Sequence, residues 1–371
     1  MSALAASTGA INLGQGFPDY DGPPEVLEAA RQAIADGANQ YPPGLGTPAL
    51  RTAIAHHQER FYGLTYDPDR EVLVTAGATE ALAATLLALL EDGDEVVTLE
   101  PFYDSYAAII GLARARHVTV PLRGPDFRPD LDELRAAVTD RTRIILLNSP
   151  HNPTGAVLDR ETLELVVDLA HRHDAIIVTD EVYEHLVFDP RRAPHIPVAT
   201  LPGARERTVT ISSGGKTFST TGWKIGWLTA PAAIRDAIMS VKQFLTFVNG
   251  APFQPAIAVG LGLPDDYFRD AAAALARRCG LLSAGLRSAG FGVSQPAGGY
   301  FVIADAAPIG QDDAVELCRR LPELVGVVAI PLTAFVRPER HADYRSLVRF
   351  AFCKQDDLLT RAAAQLAGLR T

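Results

Sequence analysis

The chain has 371 residues, 47% of them apolar and 21% charged, with a formal net charge of −10 at pH 7. That length supports one large domain and a smaller one, and the charge excludes partners that demand a basic face, such as nucleic acid or an anionic membrane. Three scattered cysteines, Cys279, Cys318 and Cys353, form no C-x-x-C pair, which suits a reducing cytoplasm and gives no zinc signature.

In chain order, the opening "MSALAASTGA" has neither the basic start nor the apolar run of a signal peptide. "PPEVLEAARQAIADG" begins on prolines and ends on Gly37, and "TPALRTAIAHHQERFYG" repeats the device with Thr47 as N-cap and Pro48 in the first turn. Both predict helices. Runs rich in β-branched and aliphatic residues follow: "EVLVTAG", "DEVVTLEP", "RIILLNSP", "AIIVTDE", "TVTISSGG" and "KIGWLTAP". Helical stretches such as "ATEALAATLLALLEDG" and "DRETLELVVDLAHRHD" separate most of them. The longest apolar run, "ALAATLLALL", is too short to span a bilayer. Strands of this kind separated by helices predict an α/β domain with a mainly parallel sheet. From about residue 231 the texture changes: "PAAIRDAIMSVKQFLTF" and "DDYFRDAAAALARRCGLLSAGLRSAG" predict long helices, and "GGYFVIAD", "GVVAIP" and "SLVRFAFC" predict strands. The expected division is a large domain over 23–264 and a small α+β domain of 1–22 with 265–371, connected by a long helix over about 265–290.

Polar residues stand at the ends of the predicted strands: Thr75 and Gly77, Glu100, Asn148, Asp180 and Ser213. Each alone reads as a turn former or helix cap. Together they point to a ligand site, because open α/β sheets bind ligands beyond the carboxyl ends of their strands. "SSGGKTFSTTGWKIGW" then places two lysines, Lys216 and Lys224, eight apart. A P-loop needs a glycine where Thr210 stands and a helix after the lysine, so "GGKT" is not one. Asp180 closes an aliphatic strand, where desolvation demands a cationic partner. Lys216 follows another strand between glycines, and a lysine near apolar surface becomes a nucleophile for carbonyls. A carboxylate for a pyridine nitrogen and a lysine for a Schiff base are what pyridoxal 5'-phosphate (PLP) requires. "TAGATEAL" adds a Gly-containing turn opening a helix, whose free N–H groups suit a phosphate.

The string S-x-x-K-x-F-x-x-x-G-W-K-x-G, Ser213 to Gly226, resembles the cofactor-lysine segment of class I/II aminotransferases, fold-type I PLP enzymes. "NLGQGFPDYDGPP", "NQYPPGLGTPALRTAIA", "NSPHNPTG", "DEVYEHL" and "LVRFAFCK" are similar to further segments of that family, in its order, from about Ile11 to Leu358. The resemblance is strongest to the branch of kynurenine, glutamine, methionine and N-succinyldiaminopimelate aminotransferases. It implies a large domain with a mixed, mostly parallel sheet of about seven strands, a small α+β C-terminal domain, and PLP as cofactor. It further implies ping-pong transfer of an amino group from an amino acid to a 2-oxo acid such as 2-oxoglutarate, in a cytoplasmic homodimer.

The resemblance also implies a role for each matching residue. Lys216 joins the cofactor and moves the substrate's proton, and Asp180 pairs with the pyridinium nitrogen. Asn152 and Tyr183 bond the phenolic oxygen, and Tyr103 stacks on the ring. The backbone of Ala78 and Thr79, with Ser213 and Lys224, holds the phosphate. Lys224 departs from the arginine more usual in the family. Arg349 grips the substrate α-carboxylate, assisted by the backbone of Gly16, and Tyr41 reaches the phosphate in the partner subunit. "KQFLTFVNGAPFQP" differs from the kynurenine-specific members, and relatives carry additional residues before the point where this chain begins. Two alternatives share these residues: a PLP-dependent β-lyase of the cysteine-S-conjugate type, and a non-catalytic PLP-sensing module, which no helix-turn-helix pattern before residue 11 supports. His171 and His173 read as a solvated helix face rather than a metal site, and His151 as a neighbour of substrate or merely of its own loop. No metal is expected.

Overall fold

The computed structural model describes residues 2–370. Its main sheet has eight strands: β1 (Val72–Ala76), β2 (Glu95–Glu100), β3 (Arg116–Arg123), β4 (Arg128–Pro129), β5 (Thr142–Asn148), β6 (Ile176–Asp180), β7 (Thr208–Ser213) and β8 (Ile225–Thr229). Their spatial order is β1-β8-β7-β6-β5-β2-β3-β4. The strands from β7 through β3 run parallel, β8 is antiparallel to both its neighbours, and β4 folds back on β3. The two-residue β4 is the strand beyond the seven that the resemblance implies. All six strands read from the sequence form. β3 was not among them: its "RHVTVPLR" begins with two polar residues and contains a proline, which breaks the aliphatic signature.

Burial on both faces explains the sequence of the central strands. In β5, Ile144 and Leu146 enter one core with Leu82, Ile109 and Ile238, from helices Gly77–Leu89, Asp104–Leu112 and Ala232–Lys242. Ile145 and Leu147 enter the opposite core, with Leu163 and Val166 of helix Arg160–Arg172. With alternate residues facing two apolar layers, Ile144 to Leu147 are all aliphatic, and polar residues stand only toward the strand's two ends. Thr47 caps helix Pro48–Tyr62 as expected, accepting from the Leu50 N–H at 3.4 Å, and Gly63 ends it with φ of 68°.

A second sheet, all antiparallel, orders β9 (Gly292–Val293), β10 (Phe301–Asp305), β12 (Leu347–Ala351) and β11 (Ile330–Pro331) as β9-β10-β12-β11. The "GVVAIP" run divides. Val327–Val328 pairs in parallel with Ile11–Asn12, and Ile330–Pro331 joins β12. The long helix runs Asp265–Ser288. The helix expected over "PAAIRDAIMSVKQFLTF" stops early, at Lys242. Lys242 Nζ donates to the carbonyls of Gly44 (3.2 Å) and Phe247 (2.5 Å), and Phe247 adopts φ of 62°, which turns the chain back.

Candidate active site

β1, β5, β6 and β7 all end at one cavity of about 150 Å³. Ala78, Thr79, Tyr103, Asn152, Asp180, Tyr183, Ser213, Lys216 and Lys224 all line it, together with Gly77 and Asn148. Thr75 and Glu100, the other polar strand ends, turn to structural tasks. The Thr75 hydroxyl donates to the Gly77 carbonyl, and Glu100 accepts from the Arg337 N–H.

At the deep end, the Asp180 carboxylate accepts from the Tyr106 hydroxyl at 2.7 Å and from the Val182 N–H at 3.3 Å. Its backbone carbonyl is held by Asn148 Nδ2 at 2.8 Å. Burial pushes the Asp180 carboxyl up to about 6, against the opposing pull of Tyr106, the Val182 N–H and Lys216. Such a group gains from a cation placed beside it. Lys216 Nζ donates to the Gly16 carbonyl at 3.2 Å and lies 5.8 and 5.6 Å from the ring centres of Tyr183 and Tyr300. Burial lowers its ammonium below the ordinary value, with Cys353 and Asp180 pulling the other way. Lys216 lies in the single helical turn Gly214–Thr217, whose carbonyls at Lys216 and Thr217 accept from the hydroxyls of Tyr300 (2.8 Å) and Tyr267 (3.0 Å).

The opposite end is built for an anion. Helix Gly77–Leu89 begins here with no side chain capping it, so its first N–H groups are free for a ligand. Gly77 has φ of 72°, and a Cβ added to Gly226 on β8 would stand 2.5 Å from the Gly77 carbonyl carbon. Only glycine lets that strand approach the helix so closely. Lys224, exposed, donates to the Thr79 hydroxyl at 3.5 Å, and Ser213 completes the wall.

Arg349 stands on β12, outside the residues that line the cavity, and meets its wall through Asn152. One guanidinium nitrogen donates to Asn152 Oδ1 at 3.0 Å and another to the Gly14 carbonyl at 2.9 Å, while Nε is buried without a partner. The guanidinium stacks on the rings of Phe301 and Phe335 at 4.0 and 4.2 Å. Each such stack contributes about 0.5–2 kcal/mol. Burial lowers Arg349 to about 10, partly opposed by Tyr183. Gly16 is tied to this stack, because any Cβ there would collide with the Phe301 ring. Tyr41 stands outside the cavity of its own chain, 82% exposed, with its ring edge-on to Phe247 at 5.6 Å.

Sequence reasoning missed Tyr106, Tyr300 and Thr221. Tyr106 had a readable signal, since it lies one helical turn after Tyr103 in "EPFYDSY" and so shares its face. The histidines take separate structural tasks. His151 is buried, bonded to the Thr154 hydroxyl at 2.7 Å and to the backbone of Pro101, so it ties its own loop to the one that follows β2. His171 meets the Gly203 carbonyl and His173 meets Asp140. His57 and His185 approach with Glu184 nearby, but their Nε2 atoms are 2.6 Å apart. A tetrahedral zinc would hold two ligand nitrogens about 3.3 Å apart, given metal–nitrogen bonds of about 2.05 Å. The pair is hydrogen-bonded, and a Glu184 oxygen accepts from Ser212 at 2.6 Å.

The family model of aminotransferase class I and II matches residues 8–366. The chain belongs to that family. A solved N-succinyldiaminopimelate aminotransferase from Mycobacterium tuberculosis is 52% identical, with a TM-score of 0.96 covering 100% of this chain and 96% of its own. The methionine aminotransferase of Escherichia coli K12 is 40% identical over 100% of this chain and 94% of its own length. Human kynurenine–oxoglutarate transaminase 3 is 36% identical over 97% of this chain and 85% of its own. The fold is the fold-type I aminotransferase fold, and the chain is an amino-group transferase whose substrates are amino acids and oxo acids. No helix among the described residues is long and apolar enough to cross a membrane.

Proposed function

We propose that this aminotransferase binds PLP in the cavity between Asp180 and the N-terminus of helix Gly77–Leu89, with Lys216 as its attachment point. The observation that carries this reading is the meeting of three features in one cavity: a buried carboxylate, a desolvated lysine and an uncapped helix start beside Lys224. The donor set fits the cofactor end to end, since the carboxylate suits a protonated pyridine and the helix start suits a phosphate. When bound, PLP supplies an aldehyde for amine exchange and an electron-withdrawing ring.

The chain's own groups then divide the work. Asp180 keeps a proton on the ring nitrogen. Lys216 Nζ, held below its ordinary basicity by burial, moves the proton at the substrate's alpha carbon. Asn152 and Tyr183 hydrogen-bond the phenolic oxygen, and Tyr103 covers the ring. Ala78, Thr79, Ser213 and Lys224 hold the phosphate. Arg349, bonded to Asn152 and stacked between two phenylalanines, receives the alpha-carboxylate in its planar fork, next to the Gly16 backbone. The same reading divides the chain into a cofactor-binding domain, 23–264, and a smaller one of 1–22 with 265–371. It also makes the active unit a cytoplasmic homodimer in which Tyr41, exposed on its own subunit, serves the partner's site.

The donor we propose is an N-succinyldiaminopimelate-type amino acid, and the acceptor 2-oxoglutarate. The high identity to the mycobacterial enzyme supports the donor, and the similarity to an oxoglutarate transaminase supports the acceptor. Borohydride reduction of the PLP-loaded protein, followed by peptide mass spectrometry, tests the cofactor assignment. The label belongs on Lys216, and a label on Lys224 would refute it. A panel of donors with 2-oxoglutarate tests the substrate: preference for methionine or kynurenine would displace the proposed donor.

A further inference from the structure

Segment 243–250 lies in the stretch that differs from the kynurenine-specific enzymes, and it is tied to the anion end of the cavity at two points. The first is Thr246, whose hydroxyl donates to Glu80 Oε1 at 2.5 Å, while Glu80 Oε2 accepts from the Ala76 N–H at 2.5 Å. The second is Asn249. Its Nδ2 donates to the carbonyls of Thr75 and Lys224, each at 3.1 Å. Its Oδ1 is buried without a partner, so those two carbonyls alone set the placement of the amide.

Both carbonyls belong to main chain that carries an anion-binding element. The β1–β8 ladder ends at Ala76 paired with Ile225. Thr75 leads into Gly77 and the helix start, and Lys224 directly precedes β8. Lys224 has φ of 55°, a left-handed conformation unfavourable for a residue with a Cβ. That conformation sends Lys224 Nζ to within 3.2 Å of where a Gly77 Cβ would stand. Asn249 is itself fixed, since its carbonyl accepts from Gln254 Nε2 at 2.7 Å, and Gln254 Oε1 accepts from the Thr47 N–H at 2.7 Å. A rigid amide therefore bridges the helix start and the turn that presents Lys224.

We propose that Asn249 is a positioning residue for phosphate recognition: its side-chain amide holds Lys224 in the left-handed conformation and aligns it with the start of helix Gly77–Leu89. This rests on the PLP reading above. It predicts an effect confined to the phosphate. The test compares PLP with pyridoxal, which lacks the phosphate, by fluorescence titration of the cofactor-free protein. Wild type binds PLP more tightly than pyridoxal. Asn249→Ala weakens PLP by about tenfold, the scale of the lost hydrogen bonds, and pyridoxal by less than about twofold. Equal weakening of both, or an undiminished preference for PLP, overturns the role of Asn249 while leaving the cradle in place. A wild type with no preference for PLP would remove the cradle itself, and this inference with it. Should the alanine variant not fold, Asn249→Leu keeps the volume without the donor, and the same outcomes decide.

Discussion

At the Asp180 end of the cavity the polar groups are buried and answered by other buried groups, whereas at the Lys224 end the cation is exposed and the helix start is uncapped. The difference is one of dielectric. A charge in a water-excluded pocket acts strongly and in one direction, while an exposed one is screened. The buried end is therefore suited to altering reactivity and the open end to retaining a ligand. Lys216 and Lys224 sit on opposite sides of that divide, and exchanging their phenotypes would erase it.

The largest effect belongs to Lys216→Ala. Transamination should fall to background, by several orders of magnitude, and the visible absorption of the lysine-bound cofactor should vanish. Lys224→Ala should keep that absorption and most of the turnover at saturating cofactor, while cofactor affinity drops about tenfold with the loss of one charged contact. Spectra and titrations of the two variants decide this.

Asp180→Asn tests whether the buried end acts on reactivity. Removal of the alpha proton in single-turnover kinetics should slow about a thousandfold, the scale of a lost preorganised electrostatic group. A rate near wild type with cofactor bound would mean that burial of the carboxylate serves the fold alone. Arg349→Ala comes next, with KM for amino acid and oxo acid rising together by about a hundredfold, as expected for a lost charged hydrogen-bonded contact worth about 3 kcal/mol. A rise for only one of them would show that the two carboxylates do not share the fork.

The same division explains what could be read in advance. The central strands were legible because two apolar layers favour aliphatic and β-branched residues along them, and Asp180 stood out as a charged residue closing such a strand. β3, which opens on polar residues, did not share that pattern and was missed. The anion end was legible through "TAGATEAL" and the glycines around Lys216, whose backbone demands appear directly as residue type. Tyr106 and Tyr300 were harder to find. Each acts through a hydroxyl on a residue distant in sequence, 74 positions away for Tyr106 to Asp180 and 84 for Tyr300 to Lys216, and no local pattern encodes such a contact. The early stop of the helix at Lys242 was hidden likewise, because it depends on carbonyls of two separate loops.

The effect that ties the buried end to stability rather than to turnover concerns the cofactor-free protein. Burial holds the Asp180 carboxyl at about 6, above the value near 4 of an unfolded chain. Below pH 4 the group is protonated in both states and costs nothing. As pH rises from about 4 to 6 the unfolded chain ionises first, so folding stability falls, and above 6 the full penalty remains. A shift of about two units corresponds to about 3 kcal/mol. Asp180→Asn should therefore stabilise the cofactor-free protein at pH 7 by up to about 3 kcal/mol, with the gain disappearing by pH 4. Denaturant midpoints measured from pH 4 to 8 for both proteins give the answer, and a difference that does not change with pH would show that Asp180 is not the titrating group. With PLP bound the advantage should shrink or reverse, because the pyridinium places a cation directly against the carboxylate, beyond the partial pull of Lys216. A residue that weakens the empty protein and strengthens the loaded one is what a buried cofactor carboxylate requires, and the exposed Lys224 should show no such crossing.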